Sequence, residues 1–331
     1  MSQIASEDGI INISAASLIA LHRDAHKLPL RSRKIHAQIS GNYLSAFKGR
    51  GMEFDEARLY QPGDDVRAID WRLTARSGKP HTKLYREERE RPVLLWVDYR
   101  QPMFFGTQNC YKSVLAAKAA ALLAWSSAQQ GDRLGGLIFS DHEHTEMRPA
   151  RGQAATLHFI QQLAQHSAWR NHSVSNGKQD ASSQFTHALN RLRSVAKPGS
   201  LIFMISDFRH LGQQHQGLFA QLAKHNELAL LFISDPMEAQ LPPAGIFRFS
   251  NGTQDISLNT RERSTRQQYQ QRFESHQNYL QTLCRKLDMR FVDVSTANNL
   301  LTTLHTKLGT SGRHQVSTIR SQDTVLQAAP T

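Results

Sequence analysis

Apolar runs and helical patterns alternate along the central part of the chain. The run RPVLLWVDY at 91–99 is continuously apolar after a proline, which is typical of a strand buried on both faces. An Ala- and Leu-rich stretch with helical spacing follows at 111–130, and a second apolar strand follows at 133–140. The same patterns predict strands at 200–208, 227–236 and 289–295, helices at 154–166, 183–197, 216–226, 261–287 and 298–308, and a hairpin at 245–259.

This alternation predicts an α/β fold, in which a mostly parallel sheet carries helices on both faces. The pattern divides the chain into four parts. Residues 1–39 form a lead-in that is basic and predicted to be helical near 22–34, and the turn-rich region 40–90 is predicted to contain loops and short strands joined to the main sheet. Residues 91–308 form the α/β domain, and the Ser/Thr/Gln-rich tail 309–331 is predicted to be disordered.

Composition is that of a globular protein with a basic charge balance. Of the 331 residues, 39% are hydrophobic, and the formal net charge is +12. An excess of this size suggests an acidic partner, which would be a nucleic acid, an anionic membrane face or an acidic protein surface. The basic residues are spread along the chain, and no helix-turn-helix, zinc finger or RNP-like motif is present, so no specific nucleic acid is expected.

Two features bear on the compartment. The cysteines Cys110 and Cys284 have neither disulfide-framework nor metal-ligand spacing. Glu7 and Asp8 stand where a secretory signal would be basic, and no apolar run approaches the length of a membrane span. We therefore expect a cytoplasmic protein without a transmembrane segment.

Three predicted strands end in an aspartate, namely Asp98, Asp207 and Asp235. In open α/β sheets, ligands bind at the carboxyl ends of the strands, so this edge is where chemistry is expected. The loop after the first strand, DYRQPMFFGTQNCYK, contains neither GxGxxG nor GxxxxGK. Nucleotide binding therefore lacks support, and no cofactor is expected.

The stretch GRGMEFDEARLYQPGDDVRAIDWRLTAR, followed by KLYREERER, VLLWVDYRQPMFFG and GDRLGGLIFSD, closely resembles the bacterial domain-of-unknown-function 58 (DUF58) family. The resemblance covers roughly residues 40 to 240. It implies a von Willebrand factor A-like fold preceded by this signature. It also implies MoxR-type AAA+ ATPases and other von Willebrand A-type proteins as partners, in chaperone-like maturation or assembly, with no established enzymatic activity.

The same resemblance implies a metal site that can be compared residue by residue. Metal-binding A domains use an Asp-x-Ser-x-Ser loop, a threonine and a later aspartate, whose hard oxygens suit Mg²⁺. Asp98 and Asp207 match the aspartates and Ser183 falls at the threonine position, but Arg100 and Pro102 replace the two serines. An arginine about 4 Å from a dication is repelled by roughly 8 kcal/mol at an effective dielectric constant of 20. We therefore expect a degenerate, metal-free site in which Arg100 pairs with Asp98 or Asp207.

The segment YQPGDDVRAIDWRLTAR at 60–76 combines a turn, in which Pro62 sets the bend, with many charges. Its arginines and aspartates are numerous enough for a closed ion-pair network, and Trp71 is expected to pack against the sheet. The residues expected to brace the fold or contact a partner are Arg58, Tyr60, Gly63, Asp64, Asp65, Arg67, Asp70, Trp71 and Arg76. No catalytic residue is expected, because no nucleophile here has an obvious base.

Three functions follow in order of preference. The first is a non-enzymatic scaffold or adaptor that acts with a MoxR-type ATPase. The second is nucleic-acid binding through the basic surface, and the third is metal-dependent hydrolysis at Asp98 and Asp207.

Overall fold

The structure is a computed structural model that describes residues 7–28, 30, 52–87, 91–170, 181–250 and 255–309. Apart from Gly309, the tail expected to be disordered lies outside the described residues, as do 31–51 of the lead-in and signature regions.

The described residues form ten strands and ten helices, alternating as the sequence predicts from residue 92 onward. The strands are β1 (Met52–Leu59), β2 (His81–Glu87), β3 (Pro92–Asp98), β4 (Arg133–Phe139), β5 (His144–Arg151), β6 (Leu201–Ser206), β7 (Glu227–Ser234), β8 (Ile246–Ser250), β9 (Asp255–Asn259) and β10 (Arg290–Ser295). The helices are α1 (Ala15–Ala20), α2 (His22–Ala25), α3 (Trp71–Ser77), α4 (Lys112–Gln129), α5 (Gly152–Gln165), α6 (Ala181–Val195), α7 (Gln216–His225), α8 (Pro236–Ala239), α9 (Arg263–Lys286) and α10 (Leu300–Gly309).

The main sheet has six strands in the order β10-β7-β6-β3-β4-β5. All neighbours are parallel except β5, which pairs antiparallel with β4. The predicted α/β fold with a mostly parallel sheet is therefore confirmed. The β8–β9 hairpin also forms as predicted.

Helices cover both faces of this sheet and bury two separate apolar layers. Side chains of β3 alternate between them: Val93, Leu95 and Val97 face one layer, while Leu94 and Trp96 face the other. Helices α1, α2, α4, α5 and α10 pack on the first face, and α6, α7 and α9 pack on the second. Helix α4 is buried along nearly its whole length, which explains its alanine-rich composition, because alanine allows close approach on every side.

The signature region forms a small two-stranded sheet that is separate from the main sheet. Strands β1 and β2 pair antiparallel with each other rather than with the six-stranded sheet, which corrects the expectation of strands joined to the main sheet. Helix α3 lies between them in the chain and is tied to β2 by a bond from the His81 amide to the Thr74 hydroxyl. Within the lead-in that was predicted to be helical, the described residues form two short helices, α1 and α2, and residues 31–34 of the stretch near 22–34 lie outside the described residues. None of the helices in the described ranges has both the length and the apolarity needed to span a bilayer.

Candidate functional site

The structure brings the three strand-end aspartates to one edge of the sheet, as predicted from their positions. Asp98 is the last residue of β3, Asp207 follows β6 and Asp235 follows β7, and all three are buried. Each carboxylate accepts hydrogen bonds from donors of this same chain, so the edge is a set of three polar clusters beneath the surface.

Asp98 is paired with Arg100, as expected for an arginine in place of a metal. The carboxylate accepts from the Arg100 Nε and backbone amide on one oxygen, both at 2.9 Å, and from Arg100 Nη2 at 2.5 Å and Ser206 Oγ at 2.6 Å on the other. Arg100 is only 1% exposed, and its guanidinium lies over the rings of Phe139 and Phe185. Burial alone would lower the pKa of Arg100, but the adjacent Asp98 carboxylate raises it above its ordinary value.

Asp207 belongs to a second cluster, which the sequence did not predict. Lys112, at the start of α4 and fully buried, places Nζ 2.9 Å from Asp207 Oδ2 and 2.7 Å from Glu238 Oε1. Arg209 also contacts both carboxylates. Burial would raise the pKa of Asp207, but the charges of Lys112, Arg209 and Arg100 hold it well below its ordinary value. Two cations and two carboxylates therefore balance in this cluster.

Asp235 forms the third cluster and has a structural role. Its side chain accepts from the hydroxyls of Thr107 at 2.5 Å and Thr296 at 2.6 Å, and from the Met237 amide at the start of α8. Glu238 completes a capping box on that helix. Burial opposes ionisation, but these hydrogen bonds lower the pKa of Asp235 below its ordinary value. The aspartate thus ties three loops together.

The residues at this edge do not fit a divalent metal. A carboxylate offers about four lone-pair positions, and the four donors on Asp98 occupy them. Pro102 lies in a 3-10 turn and offers no ligand, while Ser183 is exposed in the first turn of α6. Across the described ranges, no group of three or more His, Cys, Asp or Glu side chains is placed to hold a metal ion. The absence of metal binding remains a prediction for solution measurements.

One signal for the second cluster was present in the sequence. Lys112 opens a mostly apolar helix, and a lysine among alanines and leucines must find a counter-charge if it is buried. Its partners lie 95 and 126 residues further along the chain, so only the fold identifies them.

The signature segment is braced mainly through its aspartates. Asp64 accepts from Arg58 Nη2 at 2.7 Å and from the Gln61 amide at 2.9 Å. Asp65 caps the 3-10 turn Val66–Ala68, and Asp70 caps α3 through the amides of Arg72 and Leu73. Backbone hydrogen bonds lower the pKa values of Asp64 and Asp70. The positive charge of Arg58 lowers the pKa of Asp64 further, and that of Lys83 lowers the pKa of Asp70 further.

The turn that precedes these caps requires glycine. Gly63 has a φ of +107°, a left-handed value that side-chain-bearing residues rarely adopt. Tyr60, beside this turn, is half-buried, and its backbone amide donates to the Pro80 carbonyl. The turn therefore holds the end of β1 against the residues that lead into β2.

The prediction of a closed ion-pair network is wrong, because only two of the charged pairs in this segment form among the described residues. Arg58 pairs with Asp64, and Lys83 reaches Asp70 only at 4.0 Å. Neither Arg67 nor Arg76 forms an ion pair with any other described residue, because the aspartates accept from backbone amides instead. Both arginines are exposed.

The expectation that Trp71 packs against the sheet is also wrong, because its residue surface is 66% exposed. Trp71 directly follows the cap of α3, and the helix turns Leu73 and Thr74 inward instead. The outward residues recur at the four-residue spacing of one helical face. They are Trp71, Arg72, Ala75 and Arg76, and we call them the α3 face.

A family model described as "Protein of unknown function DUF58" matches residues 56–279, which is more than half of the chain. The chain belongs to this family. The match includes most of the signature and extends into α9, beyond the region that carried the resemblance.

Sequence relatives include uncharacterized proteins of Mycobacterium bovis and Mycobacterium tuberculosis. Each is 31% identical over 213 residues, which is 64% of this chain and 64% of the relative. The match therefore spans less than two thirds of their length.

Two solved structures are similar in part. A conserved hypothetical protein BatB from Bacteroides thetaiotaomicron is 14% identical with a TM-score of 0.43, covering 66% of this chain and 97% of that chain. An aerotolerance-related membrane protein from Bacteroides fragilis is 13% identical with a TM-score of 0.40, covering 66% of this chain and 98% of that chain.

Proposed function

We propose that this protein is a non-enzymatic scaffold or adaptor that binds a MoxR-type AAA+ ATPase in the assembly or maturation of other proteins, in the cytoplasm. The identity of the ATPase comes from the resemblance of its signature to the DUF58 family. The observation that carries the proposal is the exposed Trp71 on the α3 face.

An exposed tryptophan at this position needs an explanation. Tryptophan is enriched at the energetic centres of protein interfaces, and its burial there removes a large apolar surface from water. Val66, from the same segment, and Leu59, directly before it, are 56% and 52% exposed. Exposed apolar side chains held by a capped helix and a glycine turn fit a preformed docking surface.

The carboxyl edge of the sheet supports a non-enzymatic role. A general acid, base or nucleophile needs a free position beside a reacting group. Asp98, Asp207 and Asp235 each use their oxygens on cations, hydroxyls or amides of this same chain. The strand ends thus serve to hold loops in place.

The test is binding of the purified MoxR-type ATPase of the same organism to wild-type protein and to Trp71→Ala. Truncating an interface tryptophan typically costs 2 kcal/mol or more, so affinity should fall by about 30-fold. Because the ring is mostly exposed, the free energy of unfolding should change by only about 0.5 kcal/mol. Arg67→Ala should likewise weaken binding while the melting temperature holds.

Leu157→Ala provides a matched control, because Leu157 is an exposed apolar residue on α5, away from the signature. It should bind the ATPase as the wild type does. Wild-type affinity in a normally folded Trp71→Ala variant would remove the α3 face from the interface. No detectable binding by the wild type, with ATP or without it, would reject the ATPase as the partner.

A further inference from the structure

A groove runs along the second helical face of the sheet, between β5 and α6. Strand β5 is the last strand at one edge of the sheet, and both elements run from the carboxyl edge of the sheet towards its amino edge. Alternate residues of β5 and residues four apart on α6 form the two walls. They are His144, Glu146 and Arg148 on β5, and Ser183, His187 and Arg191 on α6.

The groove consists of two adjoining cavities that share Arg191. Their volumes are about 500 Å³ at the amino edge and about 490 Å³ at the carboxyl edge. Between His144 and Arg148, β5 spans about 13 Å at roughly 3.3 Å per residue. The groove is therefore long enough for about four residues of extended chain.

The amino-edge cavity has a strong excess of positive charge. Four cations line it, from Arg133, Arg148, Arg191 and Lys197, against the one carboxylate of Glu146. Glu146 is 3.2 Å from Arg191, and Arg133 donates to the Pro149 carbonyl. In the part of the chain that the structure describes, neither Arg148 nor Lys197 forms an ion pair.

The end of α6 does not neutralise this excess. Helix α6 ends at Val195, in the wall of the same cavity, and the carbonyls of a helix end carry about half a negative charge. Lys197 alone more than balances that partial charge. A net charge of more than two units thus remains around a cavity of ligand size.

We propose that this groove binds an extended segment of a partner protein, with acidic residues in the amino-edge cavity and uncharged residues in the carboxyl-edge cavity, where Asp141 and Glu143 would repel a carboxylate. Arginine side chains suit carboxylates because they donate two parallel hydrogen bonds. Pro92, Pro149 and Val195 add apolar surface to the cavity, which suits a polypeptide better than a small inorganic anion. In this arrangement Glu146 competes with the incoming carboxylate for Arg191, so Glu146 limits the affinity.

The probe is a fluorescein-labelled peptide with two consecutive glutamates followed by two alanines, titrated with the full chain and followed by fluorescence anisotropy. A peptide with two glutamines in place of the glutamates is the reference and should bind at least tenfold more weakly. Arg148→Ala should weaken binding of the glutamate peptide about threefold, and Arg148→Ala combined with Lys197→Ala should weaken it about tenfold. Glu146→Gln should strengthen it about threefold, because Arg191 is then released.

Arg193→Ala is the matched control for charge. Arg193 lies on α6 but donates to Gln221, outside the groove, and its removal changes the net charge as Arg148→Ala does. It should leave peptide affinity within twofold of the wild type, and Trp71→Ala should do the same. Melting temperatures of all variants establish that they are folded.

Three results would overturn the proposal. Equal binding of the glutamate and glutamine peptides would remove the charge recognition. Equal losses in Arg193→Ala and Arg148→Ala would show attraction by net charge alone. Displacement of the peptide by an equal concentration of inorganic pyrophosphate would show a site for compact anions instead of an acidic chain.

Discussion

Lys112 is expected to contribute more to stability than any exposed lysine, because it neutralises two buried carboxylates. Its Nζ lies within 2.9 Å of Asp207 and 2.7 Å of Glu238. In Lys112→Met the volume is nearly kept, but the two carboxylates are left with Arg209, whose side chain is 48% exposed. Removing one partner of a buried ion pair costs about 3–5 kcal/mol, and we expect that loss in the free energy of unfolding at pH 7.

The loss in the free energy of unfolding should be larger at pH 7 than at acidic pH, because it depends on the charge of Asp207. In the wild type the pKa of Asp207 is held well below its ordinary value, so its stabilising effect is present above the unfolded pKa and is lost only in strong acid. In Lys112→Met burial still raises the pKa of Asp207, while the attraction of Lys112 is gone. A protonated Asp207 needs no cation, so the difference in the free energy of unfolding between Lys112→Met and the wild type should be smaller at acidic pH than at pH 7.

The assay is urea unfolding of both proteins at pH 7 and pH 4.5, followed by tryptophan fluorescence. Lys118→Met on the same helix is the control, since Lys118 is half-buried and, among the described residues, donates a hydrogen bond only to the Gly9 carbonyl. Lys118→Met should lower the free energy of unfolding by about 1 kcal/mol, with little change between the two pH values. A Lys112→Met variant within about 1 kcal/mol of the wild type at pH 7, or one with equal losses at both pH values, would refute the reasoning.

Two further predictions concern binding. Calorimetry with millimolar Mg²⁺ or Mn²⁺ should detect no binding at the carboxyl edge, because Arg100 and Ser206 occupy Asp98; a magnesium ion on Asp98 and Asp207 in a crystal structure would contradict this. Random duplex DNA should bind weakly and with a steep salt dependence, as expected from net charge alone, and useful affinity at physiological salt would favour the nucleic-acid function instead.

Most of the main sheet was predictable because parallel strands are buried on both faces and therefore appear as continuous apolar runs. Strand β5 was missed for the opposite reason. It is an edge strand whose residues alternate between exposed and half-buried, and it contains Pro149. A polar stretch of this kind has the same composition as a loop, so only pairing with β4 identifies it as a strand.

The candidate site was predictable where its partners are close in sequence. Asp98 and Arg100 are two residues apart at one strand end, so their pairing follows from local geometry. The Lys112 cluster joins residues about a hundred positions apart and needs the fold. Trp71 was placed wrongly because aromatic residues are usually buried, whereas the cap on Asp70 directs this one outward.

The distribution of charge then indicates where the net charge of +12 acts. The cations buried at the carboxyl edge, Arg100 and Lys112, are matched by carboxylates, so they contribute nothing to the field outside. Cations without an ion-pair partner among the described residues lie on surfaces, such as Arg67 and Arg76 of the signature and Arg148 in the groove beside β5. A surface with unmatched arginines beside apolar side chains favours an acidic protein partner over a uniform polyanion, because the apolar groups contribute only when a shaped surface covers them. For this reason we place protein binding ahead of nucleic-acid binding.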